Sequence, residues 1–106
     1  MRHFIWLSFD LGIQGDYEGM CAWLASKQAK ECGDSLACFW YEHAGELLED
    51  LKRDLDGTIE LDAKSRVYVI QLVEGRMKGR FISGHRRPAP WVGYAEEEDA
   101  ADDTDA

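Results

Sequence analysis

The pattern of apolar and polar positions predicts that the chain begins with a strand, a turn and a helix. Residues 3–9 carry large apolar side chains at both odd and even positions, which is typical of a central strand covered on both faces. Asp16 follows a glycine turn and is a candidate helix N-cap. The apolar positions of the helix that follows recur on one face, at Tyr17, Met20, Cys21 and Leu24.

The middle of the chain predicts two further strands and a second helix. Residues 30–33 are typical of a short strand, and a turn at Gly33-Asp34 leads into residues 35–42, which are apolar on both faces. A helix should follow, and Gly57 is well placed to end it. Its apolar face consists of Ala44, Leu47, Leu48, Leu51 and Leu55.

The last regular segment predicts a β-hairpin. Residues 66–73 are rich in β-branched and aromatic side chains, and Glu74-Gly75 is a two-residue turn signal that would pair them with residues 76–83. Pro88 and Pro90 then end regular structure. We expect residues 91–94 to fold back as an aromatic clasp.

This order of elements predicts an α+β fold, a ferredoxin-like sandwich with an extra C-terminal hairpin strand. Two helices would cover one face of an antiparallel sheet. We predict one domain over residues 1–94, because a chain of 106 residues supplies one core. The opposite sheet face would carry Phe4, Trp6 and side chains from residues 36–41 and 67–72. That apolar area predicts a homodimer through the second face.

The net charge depends strongly on the last residues of the chain. The sequence has 21 acidic and 12 basic residues, which gives a formal net charge of −9. Seven of the acids follow Ala95, so fourteen acids and twelve bases remain, and the rest of the chain carries about −2. Residues 95–106 have no apolar side chain larger than alanine, and we expect a disordered acidic tail. A nearly neutral domain leaves RNA or DNA open as a partner.

The three cysteines favour a cytoplasmic location. Cys21, Cys32 and Cys38 are an odd set without the spacing of a zinc site or of a disulfide framework, and Cys21 and Cys38 fit buried positions. No segment has the length of a membrane span or of a signal peptide. We therefore expect reduced thiols and no membrane contact.

Asp10 is the candidate catalytic and metal-binding residue. A carboxylate at a strand end beside a glycine turn is accessible to Mg²⁺ or Mn²⁺, which bind carboxylates together with water and phosphate oxygens. A twofold dimer that brings two copies of Asp10 together would make such a site. The alternative is that Asp10 hydrogen-bonds its own turn. Asp16 is a candidate second ligand or an N-cap, and the three histidines match no metal-binding spacing.

A basic stripe is the candidate nucleic-acid-binding surface. Arg76, Lys78 and Arg80 alternate and would project from one face of the last strand, and Arg86 and Arg87 continue the series. Basic side chains contact phosphates, and nearby rings such as Phe81 and Trp91 can stack on unpaired bases. The same pattern is also typical of an edge strand protected from aggregation by charge. The acidic tail is a candidate reversible competitor for this stripe.

Several short motifs resemble a group of small ferredoxin-fold proteins: the small subunit of CRISPR adaptation complexes, the SinR-like proteins and the VapD-like ribonucleases. The likeness covers roughly residues 2–73 and lies in Phe9-Asp10-Leu11, Asp16-Tyr17-Glu18, residues 34–39, residues 47–55 and Lys64-Ser65-Arg66. The resemblance implies that Asp10 lies near a dimer axis and takes part in metal-dependent cleavage of RNA or DNA. This chain departs from the group in residues 76–83, in its clasp and in its acidic tail.

Two functions from different classes follow from the sequence. The first is a small homodimeric nucleic-acid-associated protein that is a weak metal-dependent endoribonuclease or a subunit of a nuclease complex. The second is a catalytically silent module that binds a protein partner, such as an antitoxin, an inhibitor or a complex subunit. The sequence leaves open whether the chain is an enzyme.

Overall fold

The computed structural model describes residues 1–94, in which it has five strands and two helices. The strands are β1 (Arg2–Asp10), β2 (Lys30–Gly33), β3 (Leu36–Glu42), β4 (Arg66–Val73) and β5 (Arg76–Ser83). The helices are α1 (Tyr17–Ser26) and α2 (Leu47–Asp56). Each of these elements was predicted from the sequence, with boundaries that differ by no more than a few residues.

The strands form one antiparallel sheet in the order β2-β3-β1-β4-β5. Leu7 of β1 lies opposite Ala37 of β3 on one side and opposite Val69 of β4 on the other. The central place of β1 agrees with the apolar side chains on both of its faces. Glu74 and Gly75 form the β4–β5 turn with φ values of 51° and 80°, the left-handed pair that a tight hairpin requires. The α+β class and the final hairpin are therefore confirmed.

Both helices bury apolar side chains against the same face of the sheet. In β1 this face carries the odd-numbered residues, of which Ile5 and Leu7 are fully buried. Leu51 and Leu55 of α2 join the same core cluster, which extends across β3 and β4. The other members are Phe9, Leu11, Met20, Trp23, Ala37, Phe39, Tyr41, Leu47, Ile59, Val67, Val69 and Ile82.

The buried face of α1 differs from the prediction. Met20 is buried as expected, but its core neighbour on the helix is Trp23, whereas Cys21 is exposed. The Trp23 ring packs edge-on against Phe39, with ring centroids 5.6 Å apart. A tryptophan removes more apolar area from water than a cysteine does, so the helix turns its indole toward the sheet. The prediction of a buried Cys21 was wrong for this reason.

Side-chain caps define both helix starts. Asp16 Oδ1 accepts a hydrogen bond from the Gly19 N–H at 2.8 Å, which confirms its predicted role as N-cap of α1. Glu46 caps α2 in the same way. Asp50 in the first turn of α2 accepts the N–H of Gly45 at 2.9 Å. That hydrogen bond is the main reason why the pKa of Asp50 lies below its usual range.

The sheet face opposite the helices, here called the open face, carries a continuous set of partly or largely exposed apolar side chains. Phe4 contacts Trp6 and Trp40, with ring centroids 5.1 and 5.3 Å apart. Trp40 is 53% exposed. The remaining large apolar members are Leu36, Tyr68, Ile70, Leu72, Met77 and Phe81. The predicted second apolar face is thus present.

The segment after β5 does not form the predicted aromatic clasp. Trp91 and Tyr94 lie in a turn but are 72% and 86% exposed. The clasp prediction was wrong because this turn is closed by local backbone hydrogen bonds, such as Tyr94 N–H to the Trp91 carbonyl, and buries neither ring. The predicted acidic tail, residues 95–106, lies outside the described residues. Within residues 1–94, neither helix has the length and apolar character needed to cross a membrane.

Candidate nucleic-acid interface

An open cleft of about 1000 Å³ lies at the end of β1. Its walls come from the turn after β1, the loop before β4 and the segment after β5. Its ionisable side chains are Asp10, Asp62, Lys64, Arg66, His85 and Arg87. We refer to it as the Asp10 cleft. With His85 neutral, three cations face two carboxylates, so the cleft has a slight positive balance.

Two arginines hold the Asp10 carboxylate. Arg87 Nη2 donates a hydrogen bond to Asp10 Oδ2 at 3.1 Å, and Arg66 Nη2 lies 3.7 Å from the same oxygen. Arg66 stands opposite Asp10 in the β1–β4 register, so the sheet itself places this pair. Asp10 Oδ1 accepts the N–H of Gly12 at 3.2 Å. Asp10 therefore accepts a hydrogen bond from its own turn, which is the alternative to metal binding given by the sequence. It also forms ion pairs with Arg66 and Arg87.

Within one chain, Gly12, Arg66 and Arg87 would compete with a divalent metal for the Asp10 oxygens. Both carboxylate oxygens of Asp10 already face donors. Asp16, the candidate second ligand, caps α1 with Oδ1 and accepts the Glu60 N–H with Oδ2 at 3.2 Å. Within residues 1–94, no three His, Cys, Asp or Glu side chains are grouped so that they could hold a metal ion. A Mg²⁺ or Mn²⁺ site completed by a second copy of Asp10 remains a prediction.

Gly84 allows the segment after β5 to reach the cleft. Its φ of +78° lies in the left-handed region, which residues with a side chain rarely adopt. A Cβ at this position would lie 2.5 Å from the Ser65 carbonyl oxygen and 2.8 Å from Arg66 Cγ. The chain therefore passes directly over the start of β4, and this close approach brings Arg87 to Asp10.

Asp62 shapes the loop that presents Lys64. Its Oδ1 accepts the Lys64 N–H at 2.8 Å and the Ser65 hydroxyl at 3.2 Å. Ser65 Oγ in turn accepts the Asp62 N–H at 3.0 Å, and Ser65 is buried. The bond from Lys64 N–H is the main reason why the pKa of Asp62 lies below its usual range. The exposed Lys64 therefore lies in a loop that is ordered by hydrogen bonds between Asp62 and Ser65.

The structure separates the predicted basic stripe into two groups. Arg76, Lys78 and Arg80 lie opposite Val73, Gln71 and Val69, on the side of the sheet that the helices cover. Phe81 lies on the open face, where its ring packs 4.7 Å from that of Tyr68. Strand alternation therefore places the three cations and this ring on different sides of β5.

The other two predicted cations follow β5. Arg87 lies in the Asp10 cleft, and the guanidinium of Arg86 lies 5.9 Å from the centroid of the Phe81 ring. This second group therefore combines two arginines with an aromatic ring at the edge of the open face. Trp91, the other ring named from the sequence, is exposed a few residues later.

A second groove, of about 490 Å³, lies beside Lys78 and Arg80. His3 Nδ1 is 2.8 Å from His43 Nε2, and His43 Nδ1 is 2.8 Å from the carbonyl oxygen of Gly45. Because a carbonyl oxygen only accepts, His43 carries a proton on Nδ1, and in the neutral His43 ring Nε2 then accepts from His3 Nδ1. Sequence reasoning missed this pair because forty residues separate the two histidines.

Sequence reasoning also missed Lys64 and Arg66 as members of the candidate site. A local charge count would have found them: residues 64–87 contain seven lysines and arginines and one acid, Glu74. A count over the whole chain gives a net charge of −9 and does not reveal that this segment is basic. The basic region therefore begins at Lys64, earlier in the chain than the predicted stripe, which starts at Arg76.

Comparison with protein-family models, with curated proteins and with solved structures finds no match to this chain. The resemblance to the CRISPR adaptation, SinR-like and VapD-like group therefore stays a hypothesis based on short motifs.

Proposed function

We propose that this chain is a nucleic-acid-binding protein that acts as a homodimer. The observation that carries the proposal is the charge of residues 64–87, where seven bases accompany a single acid in an otherwise acidic chain. Phosphate contacts by lysine and arginine supply most of the affinity in sequence-independent binding. The binding surface is the β5 edge of the sheet together with the Asp10 cleft.

The arrangement of these cations supports a strand-like ligand. β5 has eight residues and is about 26 Å long at the usual rise per residue. Cations lie along it and at its end, from Arg76 to Arg87. Single-stranded nucleic acids bind in basic grooves that cover roughly 4 to 16 nucleotides, with rings for stacking. Phe81, on the edge strand β5, supplies such a ring beside Arg86.

Binding is better supported than cleavage. Asp10 would serve as a Mg²⁺ or Mn²⁺ ligand in a nuclease, but Arg66 and Arg87 lie against its Oδ2. A phosphate that approached this cleft would compete with Asp10 for those guanidinium groups, which is binding chemistry and needs no metal. Nuclease activity at a paired Asp10 site would require the homodimer.

The homodimer would form through the open face. Trp40, Leu72 and Met77 are each more than half exposed there, in a patch continuous with Phe4 and Trp6. Stable monomers rarely expose a continuous apolar patch of this kind, and a twofold axis would cover it with its own copy. We also propose a ferredoxin-like arrangement for the first four strands and both helices, with β5 as the added strand.

The binding proposal is tested by fluorescence anisotropy with labelled single-stranded RNA, single-stranded DNA and duplex DNA of about 20 nucleotides, as a function of salt. A Lys64→Ala/Arg87→Ala variant should bind about tenfold or more weakly, with a salt slope smaller by about two. The matched control is Lys30→Ala/Arg53→Ala, which removes the same charge from exposed positions on β2 and α2, away from β5. Equal losses in both variants, or no binding by the wild type at low salt, would refute the proposal.

The dimer is tested by light scattering on the purified full chain. We expect twice the chain mass of 12.1 kDa. Trp40→Lys should give the monomer, whereas Val92→Lys, a similar change at a position 73% exposed outside the open face, should leave the dimer intact. A wild-type mass of one chain at micromolar concentration would exclude the dimer.

The protein-binding module remains the second candidate because the open face could accept another protein. The exposed Trp40, Leu72 and Met77 favour this reading. A chain that binds none of the three nucleic acids, and whose open face is protected from labelling only when a heterologous partner is bound, would be such a module. Protection by self-association alone would favour the homodimer.

A further inference from the structure

Two of the three thiols meet on the β2–β3 hairpin. Cys38 lies opposite Lys30 in the register, and Cys32 follows Lys30 by two residues, so Cys32 and Cys38 are diagonal neighbours on the open face. Their Sγ atoms are 3.0 Å apart. In the single chain Cys32 is exposed and Cys38 is half-buried, and both lie at the β2 edge of the open face, where a small reagent can approach.

The local backbone favours a covalent link between the two sulfurs. A disulfide bond is about 2.05 Å long, so the sulfurs need to approach by about 1 Å. The strand register shifts between Glu31 and Gly33, which places Cys32 at an irregularity where the hydrogen-bond ladder is locally disrupted. β2 is a four-residue edge strand with no buried residue, so little core packing opposes the movement.

We propose that Cys32 and Cys38 form a thiol–disulfide exchange site that closes into an intramolecular disulfide in the presence of a low-molecular-weight disulfide such as oxidised glutathione. One cysteine thiolate attacks a sulfur of the reagent, whose S–S bond breaks and releases one glutathione thiolate. The second cysteine thiolate then attacks the protein sulfur of the mixed disulfide and releases the other. The two cysteine protons end on the two glutathione molecules, so the protein loses two electrons and the reagent gains them.

The contact between the sulfurs couples the two thiols. The pKa of Cys32 is raised chiefly because its S–H donates a hydrogen bond to Cys38 Sγ, with partial desolvation and the Cys38 and Glu31 charges adding to the effect. Because the two sulfurs are in contact, either thiolate can make the first attack and the other then resolves the mixed disulfide. Closure would link the edge strand β2 to β3. Cys38 of β3 lies opposite Trp6 of the central strand β1 on the open face.

The test is a glutathione redox titration of the full chain, followed by alkylation of free thiols, trypsin digestion and mass spectrometry. Trypsin leaves Cys32 and Cys38 together in the peptide of residues 31–52 and Cys21 in the peptide of residues 3–27. A Cys32–Cys38 disulfide and a modification of Cys21 are therefore detected on different peptides. We expect residues 31–52 to lose two hydrogen atoms and to resist alkylation, while Cys21 stays alkylated. Cys21→Ser should behave as the wild type.

Single-cysteine variants test the mechanism. Cys32→Ser should stop at a stable glutathione adduct on Cys38, because no resolving thiol is present. Closure in the folded chain should also be favoured at least about tenfold over closure in urea, since the fold raises the effective concentration of one thiol near the other. Alkylation of both cysteines under oxidising conditions, a cross-link between chains, or equal closure in folded and unfolded chains would overturn the proposal.

Discussion

Arg87 donates a hydrogen bond to the Asp10 carboxylate at 3.1 Å, although 77 residues separate the two along the chain. Asp10 ends the central strand, and Arg87 follows the last strand. This contact lies in the wall of the Asp10 cleft and places a guanidinium group against the carboxylate that resembles a metal ligand in the sequence.

Replacing Asp10 by asparagine should strengthen nucleic-acid binding. The change frees Arg66 and Arg87 from their shared carboxylate and removes one negative charge from the cleft. An exposed ion pair is worth roughly 0–1 kcal/mol, so we expect affinity to rise by about two- to fivefold with little change in stability. Anisotropy titration and thermal unfolding measure the two effects. Weaker binding by Asp10→Asn, together with loss of a Mg²⁺-dependent activity, would instead support the metal site.

Replacing Gly84 by alanine should destabilise the protein and disturb the cleft. The new Cβ meets the Ser65 carbonyl and Arg66, and the φ of +78° is strained for alanine, so the loss should be about 1–3 kcal/mol in urea unfolding. Gly75→Ala is the matched control, because Gly75 has a φ of +80° and no atom within 4 Å of a Cβ. We expect the control to lose less stability and to keep its nucleic-acid affinity. Equal effects at both positions would show that the close approach at Gly84 is unimportant.

The contribution of Asp62 to stability should depend on pH. Its pKa is lowered in the folded protein from the usual 3.8, chiefly by the hydrogen bond from Lys64 N–H. A lowered folded-state pKa means that the carboxylate stabilises the fold above 3.8 and that this contribution is lost as the pH falls through the folded value. The difference in free energy of unfolding between wild type and Asp62→Asn should thus be largest near neutral pH and shrink towards pH 2. Asp34→Asn, in the exposed β2–β3 turn, serves as the comparison, and a difference for Asp62→Asn that does not change with pH would contradict this account.

Deleting residues 95–106 should increase affinity for nucleic acid. The deletion removes seven acids and changes the formal net charge from −9 to −2, which lowers the electrostatic repulsion of phosphates. The gain should be greatest at low salt and diminish at high salt, where charges are screened. A full-length variant with the seven acids changed to Asn or Gln should match the deletion. Identical affinities for all three chains at low salt would exclude a competing role for these residues.

Local pattern and turn chemistry were sufficient to predict the elements of this protein. The apolar alternation of residues 3–9 indicated the central strand, Asp16 indicated the start of α1, and Glu74-Gly75 indicated the hairpin. These features could be predicted because strand period, helix capping and tight turns depend on residues close together in sequence. The apolar open face followed from the same alternation.

The tertiary structure alone decided which of these side chains meet. Strand register placed Arg66 opposite Asp10, and the passage of Gly84 over the start of β4 brought Arg87 to the same carboxylate. The size of Trp23 decided which face of α1 is buried. Sequence spacing cannot determine these contacts, because they depend on how distant segments pack and on which of several locally acceptable faces buries the most apolar area.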